Sequence, residues 1–241
     1  MRSTSLRVTF YTFIFFLTAS LLGCGSSEEN QSSESNTASH AVPAPEEKAQ
    51  PGTPQKSSSQ ANILVLGNSI SAGYGLTLEQ AFPFLIKKKI DSLGLSYEVI
   101  NAGLSGETTE AGVNRLPWLL RQPISILVIE LGGNDGLRGI PAAETEANLI
   151  EMVQLARDKY PNIQIIVCGM LAPPNMGQAY TQAFQQTFAK VAESEETYLL
   201  PFILDGVAGI PSLNQEDGIH PTPQGQEIVA NNLWKVLQPL L

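Results

Sequence analysis

The chain of 241 residues has little of what binds metals or staples small domains: 2 Cys and 2 His. Two cysteines cannot make a disulfide framework or a four-cysteine zinc site. Charge is sparse at 15% and leans acidic, with 14 Lys and Arg against 23 Asp and Glu and a formal net charge of -9. A general nucleic-acid binder needs a basic patch to displace counterions, so that class is excluded. The one long apolar run, Val8 to Leu22, is shorter than the roughly 20 residues a membrane-spanning helix needs. The Gly-Lys-Ser/Thr ending of a phosphate loop is missing after Gly67. So is the Gly-x-Ser-x-Gly elbow, because Ser71 stands where its last glycine would be. What is present is a globular composition, 43% hydrophobic, enough for one good-sized domain with extensions.

The extensions are N-terminal. Arg2 and Arg7 precede the apolar run in a segment, 1–23, that reads as a secretory signal. It ends in Leu21-Leu22-Gly23-Cys24, which resembles a bacterial lipobox. That resemblance implies that Cys24 is lipid-modified and becomes the new N-terminus, and Gly25 after it points to the outer membrane. An ordinary signal peptide, or a short anchor with a chance Cys, is the plainer reading. Gly25 to Gln60 is rich in Ser, Glu, Gln and Pro and holds no aromatic residue, Leu or Ile. Such a segment cannot bury enough apolar surface to offset its ordering entropy, so 24–60 is expected to be a tether. His40 lies within it and receives no chemical role.

From residue 61 to 241 strand and helix patterns alternate. ILVLG at Ile63–Gly67, Tyr97–Asn101, SILVIEL at Ser125–Leu131, QIIVCGM at Gln164–Met170 and Tyr198–Phe202 read as strands. Helical spacing covers Thr77–Leu93, with Thr77 and Gln80 as a capping pair, then Thr109–Arg121 disturbed by Pro117, Pro141–Tyr160, Tyr180–Glu195 and Thr222–Leu237. Strands rich in β-branched residues and separated by helices imply an α/β fold. The expected architecture is a three-layer α/β/α sandwich with a mainly parallel five-stranded sheet, flavodoxin-like. Ligands of such sheets bind beyond the carboxyl ends of the strands.

Polar blocks stand where that rule directs attention. Gly67-Asn68-Ser69-Ile70-Ser71 follows the first strand, Asn101-Ala102-Gly103-Leu104-Ser105-Gly106 the second and Gly132-Gly133-Asn134-Asp135 the third. Asp217-Gly218-Ile219-His220-Pro221 precedes the last helix. The set suits acyl transfer. A serine needs a base to take its proton, and His220 is the only histidine outside the tether. Asp217, three residues earlier, can hold the imidazole tautomer. Backbone N–H groups of Ser69 and Gly103 and the Asn134 amide are candidate donors to an oxyanion.

The four blocks resemble the SGNH/GDSL hydrolases. "LVLGNSISAGYGL", "NAGLSGETT", "LGGNDGLRG" and "DGIHP" look most like the bacterial thioesterase, lysophospholipase and arylesterase subgroup, over Asn62–Leu241. The resemblance implies Ser69 as nucleophile, Ser69, Gly103 and Asn134 as oxyanion donors, Asp217 as orienter and His220 as base. It also implies a small acyl-ester or lipid substrate, no cofactor, no metal and a monomer. One position departs from the family's Gly-Asp-Ser: Asn68 keeps the shape and an acceptor but loses the charge.

Taken singly, each block has a plainer meaning. Ser69 could be a turn residue, Asn134-Asp135 turn chemistry, and Asp217 with His220 a cap and a surface histidine. Asp135 is assigned to supporting its loop. Cys168 is expected to be a buried, inert thiol and Lys87-Lys88-Lys89 a solvated helix face. Met176 and Tyr180, in the segment PPNMGQAY, are candidates for an acyl groove or merely packed loop residues. Three functions follow: hydrolysis of esters or thioesters with an apolar acyl chain, deacetylation of cell-wall or polysaccharide sugars, and non-catalytic binding on a hydrolase scaffold.

Overall fold

A computed structural model describes residues 61–241; the signal, Cys24 and tether expectations lie outside the described residues. Five strands, β1 (Ala61–Gly67), β2 (Tyr97–Gly103), β3 (Ile126–Glu130), β4 (Gln164–Cys168) and β5 (Tyr198–Leu200), form one sheet in the order β2-β1-β3-β4-β5. Every pairing is parallel. Parallel strands need covering on both faces, and the apolar runs supply the means: all five residues of β3 are buried. Helices α2 (Phe82–Ser92) and α7 (Pro223–Leu237) pack together, while α3 (Thr109–Leu119), α5 (Ala142–Lys159) and α6 (Gln178–Ser194) form a second contiguous set. The expected α/β sandwich is therefore the observed one. Among the described residues no helix is long and apolar enough to cross a membrane.

Strand order reverses at β1. From β1 the chain crosses to β2 on one side and later to β3 on the other, so the crevice of this fold opens between the ends of β1 and β3. Register makes those ends level: Gly67 pairs with Gly103 on one side and with Glu130 on the other. Residues 68, 104 and 131 thus leave the sheet along one edge.

Two short helices there escaped the sequence periodicity, because four and six residues hold too few turns to show it: α1 (Ser69–Ala72) and α4 (Gly133–Arg138). The helix expected over Thr77–Leu93 is split. A 3₁₀ turn at Leu78–Gln80 ends at an extended Ala81 before α2 begins with Pro83 in its first turn. Thr77 N–H donates to Gln80 Oε1 at 3.1 Å, so the capping pair exists but closes the short turn. Pro117 lies inside α3, which runs only to Leu119 instead of Arg121. Its missing N–H falls in the last turn, where the loss is smallest. Strands β4 and β5 stop at Cys168 and Leu200, short of the expected Met170 and Phe202.

Close approach at the β2 end fixes α1. A Cβ on Gly103 would come within 2.3 Å of Ala72 N and 2.7 Å of Ser71 C, both backbone atoms. Asn101 Nδ2 donates to Ser71 O across the same contact at 2.8 Å. Gly103→Ala should push α1 away from the sheet and cost about 1–3 kcal/mol, as overpacking does. Urea unfolding of the variant checks this, and an unaltered midpoint would show that the contact is not tight.

Candidate active site

Asn68 begins the site. Its Oδ1 accepts the Ile70 N–H at 2.9 Å and caps α1, while its Nδ2 donates to Glu130 Oε1 at 2.8 Å. Glu130, at the end of β3, is fully buried. Its Oε2 accepts the N–H groups of Asn68 and Ser71, each at 3.2 Å, and the Ser71 hydroxyl at 2.5 Å. Of the four successive N–H groups 68 to 71, three are engaged. That of Ser69 has no partner among the described residues, and Ser69 lines the cavity.

Sequence reasoning missed Glu130. The signal was available: a carboxylate ending an otherwise apolar strand is unpaired in the sequence and has to find donors in the fold. It also treated Asn68 only as an acceptor of the right shape. The Nδ2 donor is what satisfies Glu130 Oε1, a job an ionised aspartate cannot do.

The catalytic candidates meet as expected. His220 Nε2 lies 2.9 Å from Ser69 Oγ, across 151 positions of sequence, and His220 Nδ1 lies 2.6 Å from Asp217 Oδ2. The other Asp217 oxygen, Oδ1, accepts the N–H groups of Ile219 and His220 at 3.0 Å. The His220 imidazole and these N–H groups hold the Asp217 carboxyl down to about 2. It therefore stays ionised wherever the imidazole is neutral. The Tyr74 ring lies against His220, with centroids 4.5 Å apart and planes tilted by 33°. Gln215 joins the two loops: its Nε2 donates to Tyr74 O at 2.7 Å, and its N–H to His220 O at 2.7 Å.

Of the three expected oxyanion donors, Gly103 is not brought to the site. Its N–H donates to Asn101 Oδ1 at 2.9 Å, and the residue packs against α1 outside the cavity lining. Gly106, three positions on, lines the cavity instead, with φ +82° and no partner for its N–H among the described residues. A left-handed backbone at that point favours glycine. Asn134 lines the cavity and spends one amide hydrogen on Glu107 O at 2.9 Å, leaving the other free. The loop carrying Gly106 is braced by Arg115, which donates to Glu107 through Nε at 2.6 Å and to Ala102 O at 2.5 Å.

The cavity has a volume of about 730 Å³ and a mostly apolar lining that includes Leu137, Met170, Leu171, Pro173, Phe202 and Leu204. Met176 and Tyr180 do not line it: Met176 ends a 3₁₀ turn, and Tyr180, in the first turn of α6, donates its hydroxyl to Ile140 O at 2.8 Å. Asp135 is buried and accepts the Thr109 hydroxyl at 2.5 Å, the supporting role assigned to it. Cys168 is buried, and burial followed by the neighbouring Glu130 pushes its thiol well up. Lys87 pairs with Asp91 at 2.5 Å on the outer side of α2.

Burial raises Glu130 to about 7 against the pull of its hydrogen bonds from Ser71 and Asn68. The folded chain therefore holds a proton that the unfolded chain releases near pH 4.5, and stability falls as pH rises from there to about 7. The Asp217 contribution is complete above its ordinary 3.8, outside that window. Glu130→Gln removes the titration. The stability of the wild type relative to this variant should fall by about 3 kcal/mol between pH 5 and pH 8. Urea unfolding at the two pH values measures it, and an equal difference at both would show that Glu130 does not titrate there.

Residues 65–228 match the GDSL-like Lipase/Acylhydrolase family. The chain is 43% identical over 180 residues to Esterase TesA of Pseudomonas aeruginosa, covering 74% of this chain and 89% of that protein. It is 40% identical over 181 residues to Thioesterase 1/protease 1/lysophospholipase L1 of Escherichia coli K12, covering 74% and 84%. The crystal structure of TesA superposes with a TM-score of 0.71 at 43% identity, over 75% of this chain and 99% of that one. By sequence, fold and the order of its four blocks, the chain belongs to the GDSL-like lipase/acylhydrolase family, the SGNH hydrolases.

Proposed function

We propose that the chain is a serine hydrolase of carboxylic ester and thioester bonds with an apolar acyl part, working through Ser69, His220 and Asp217. The reading rests on one observation, the hydrogen-bonded line from Asp217 through His220 to Ser69 at the mouth of an apolar cavity. Ser69 Oγ attacks the acyl carbonyl carbon while His220 Nε2 takes its proton, and Asp217 holds the Nδ1 proton and stabilises the imidazolium. The carbonyl oxygen, now an oxyanion, accepts the N–H groups of Ser69 and Gly106 and the free Asn134 amide hydrogen. The intermediate collapses, the bond to the leaving oxygen or sulfur breaks, and His220 returns its proton to that atom. Water, deprotonated by His220, then releases the acid and restores Ser69. The chain's own groups carry every proton.

The apolar lining favours an acyl chain over a sugar, since a glycan would bring hydroxyls that this surface leaves unpaired. The relatives point the same way: one is named an esterase and the other a thioesterase and lysophospholipase. A fluorophosphonate should label the wild type at Ser69 and leave Ser69→Ala unlabelled and inactive. A series of nitrophenyl esters should then show kcat/KM rising from acetyl to longer acyl chains. A wild type that takes no label sinks the enzymatic reading, and a preference for acetyl, with turnover of an acetylated glycan, sinks the acyl-chain reading.

The same reading carries an address. Cys24 bears lipid after signal cleavage, and the domain works on the outer membrane at the end of the 24–60 tether. Two or more acyl chains, at about 0.8 kcal/mol per buried methylene, anchor stably. Cys24→Ser should move the expressed protein from the membrane fraction to the soluble one and abolish incorporation of labelled palmitate. Unchanged fractionation would remove the anchor.

A further inference from the structure

We propose that Asn68 and Glu130 are a positioning couple for the oxyanion site: an amide donor and a carboxylate acceptor that aim the Ser69 N–H, and keep it aimed at alkaline pH because they share no proton. The inference rests on the esterase reading above. Neither residue belongs to the triad; both act through the turn that carries Ser69.

Glu130 grips that turn on both sides of the nucleophile. Its Oε2 accepts the N–H of Asn68 before it and of Ser71 after it, each at 3.2 Å. Its Oε1 accepts Asn68 Nδ2 at 2.8 Å, and Oδ1 of the same side chain takes the Ile70 N–H at 2.9 Å. The Ala72 N–H returns to Asn68 O at 3.0 Å. Along the run 68 to 72 only the Ser69 N–H is left open, and the peptides on either side of it are held.

The partners also fix which way the Asn68 amide points. Turned over, it would set Oδ1 against the Glu130 carboxylate and Nδ2 against the Ile70 N–H, two contacts between like groups. Water has no room to stand in for a lost partner. Asn68 is 2% exposed, and Ser71 and Glu130 are 0% exposed. A Cβ on Gly67 would come 2.0 Å from Ser71 Oγ and 2.5 Å from Glu130 Oε2, so the space beneath the couple is filled.

An aspartate at position 68 would put two carboxyl groups at the 2.8 Å of this contact. Like charges so close do not both ionise; such a pair holds one proton in common and loses the contact when that proton leaves. The asparagine amide carries its own hydrogens and does not titrate. The groups around the couple do not replace that proton. Helix α1 holds no ionisable side chain, Cys168 of β4 is pushed well up and stays a thiol, Asp135 of α4 is taken by Thr109, and His220 reaches the turn through Ser69 Oγ.

The geometry makes the couple reversible. In the double variant Asn68→Asp/Glu130→Gln the new amide oxygen takes the contacts of Oε2, and its nitrogen donates to the new carboxylate. That carboxylate's other oxygen keeps the Ile70 N–H. In Glu130→Gln alone two amide NH2 groups face each other, and in Asn68→Asp alone two carboxyl groups do.

The test compares full chains of the wild type, both single variants and the double variant on a nitrophenyl ester. Turnover is divided by the number of serines that a fluorophosphonate titrates. At about pH 9, kcat per titrated serine should fall about tenfold or more in each single variant with KM little changed, as when an oxyanion donor loses its aim, and the double variant should return close to the wild type. The ratio of Asn68→Asp to wild type should fall as pH rises from about 7 to 10, while the shared proton leaves. A purely structural couple would lower the number of titrated serines and leave the rate per serine alone, which overturns the inference. A double variant that stays as slow as the single ones, or does not fold, overturns it too, and it decides alone if the single variants do not fold. An Asn68→Asp chain that keeps pace with the wild type up to about pH 10 overturns the shared proton. A wild type that takes no fluorophosphonate defeats the esterase reading instead.

Discussion

Glu130 is an ionisable side chain at the end of a strand that is otherwise wholly apolar, in a place water does not reach. A carboxyl group taken from water is costly unless donors surround it. The fold brings four: the Asn68 N–H and amide, the Ser71 N–H and the Ser71 hydroxyl. These come from the turn that follows the neighbouring strand, so satisfying Glu130 shapes that turn. The turn's other N–H group, that of Ile70, goes to Asn68. Ser69 is left over, hydroxyl towards His220 and N–H without a partner. The placement of Ser69 is thus a by-product of hydrogen bonding beneath it.

The same logic explains why Gly103 and Gly106 exchanged roles. Both are glycines in one block after β2. Gly103 is the last residue of the strand, level with Gly67, and its missing side chain is where α1 passes. Its N–H is taken by the Asn101 side chain two residues earlier. The chain then needs three further residues to turn over the sheet edge into the cavity. The residue that arrives there is Gly106, with the positive φ that such a turn requires. The ion pair of Arg115 and Glu107 keeps it there: Glu107 is almost wholly buried, and its backbone oxygen holds Asn134. Strong charges sit behind the cavity wall, and no carboxylate, lysine or arginine lines it.

Division of labour follows from that arrangement. Asp217 and His220 sit on the loop before α7 and are held by short hydrogen bonds, whereas the unpartnered N–H groups of Ser69 and Gly106 belong to backbone that follows β1 and β2 directly. Preorganised backbone donors cost no reorganisation at the moment of reaction. Tyr74 and Gln215 tie the histidine loop to the loop after α1, which lets residues distant in sequence hold a 2.9 Å contact.

The sequence alone determined the sheet, the order of its covering helices and which serine, histidine and aspartate would meet. Those features are written in local terms: apolar runs of strand length, helical spacing, and a single histidine in the folded part with an aspartate three residues before it. The short helices α1 and α4 left too few residues for a period to register. Tertiary structure decided which glycine lines the cavity, what Asn68 donates to, that Glu130 is the anchor of the turn, and that Met176 and Tyr180 stay out of the cavity. Each of these depends on which groups meet across 26 to 151 positions of chain, as Thr109 meets Asp135 and His220 meets Ser69. A residue's type sets which bonds it can make, and only the folded chain settles which partner is near enough to make them.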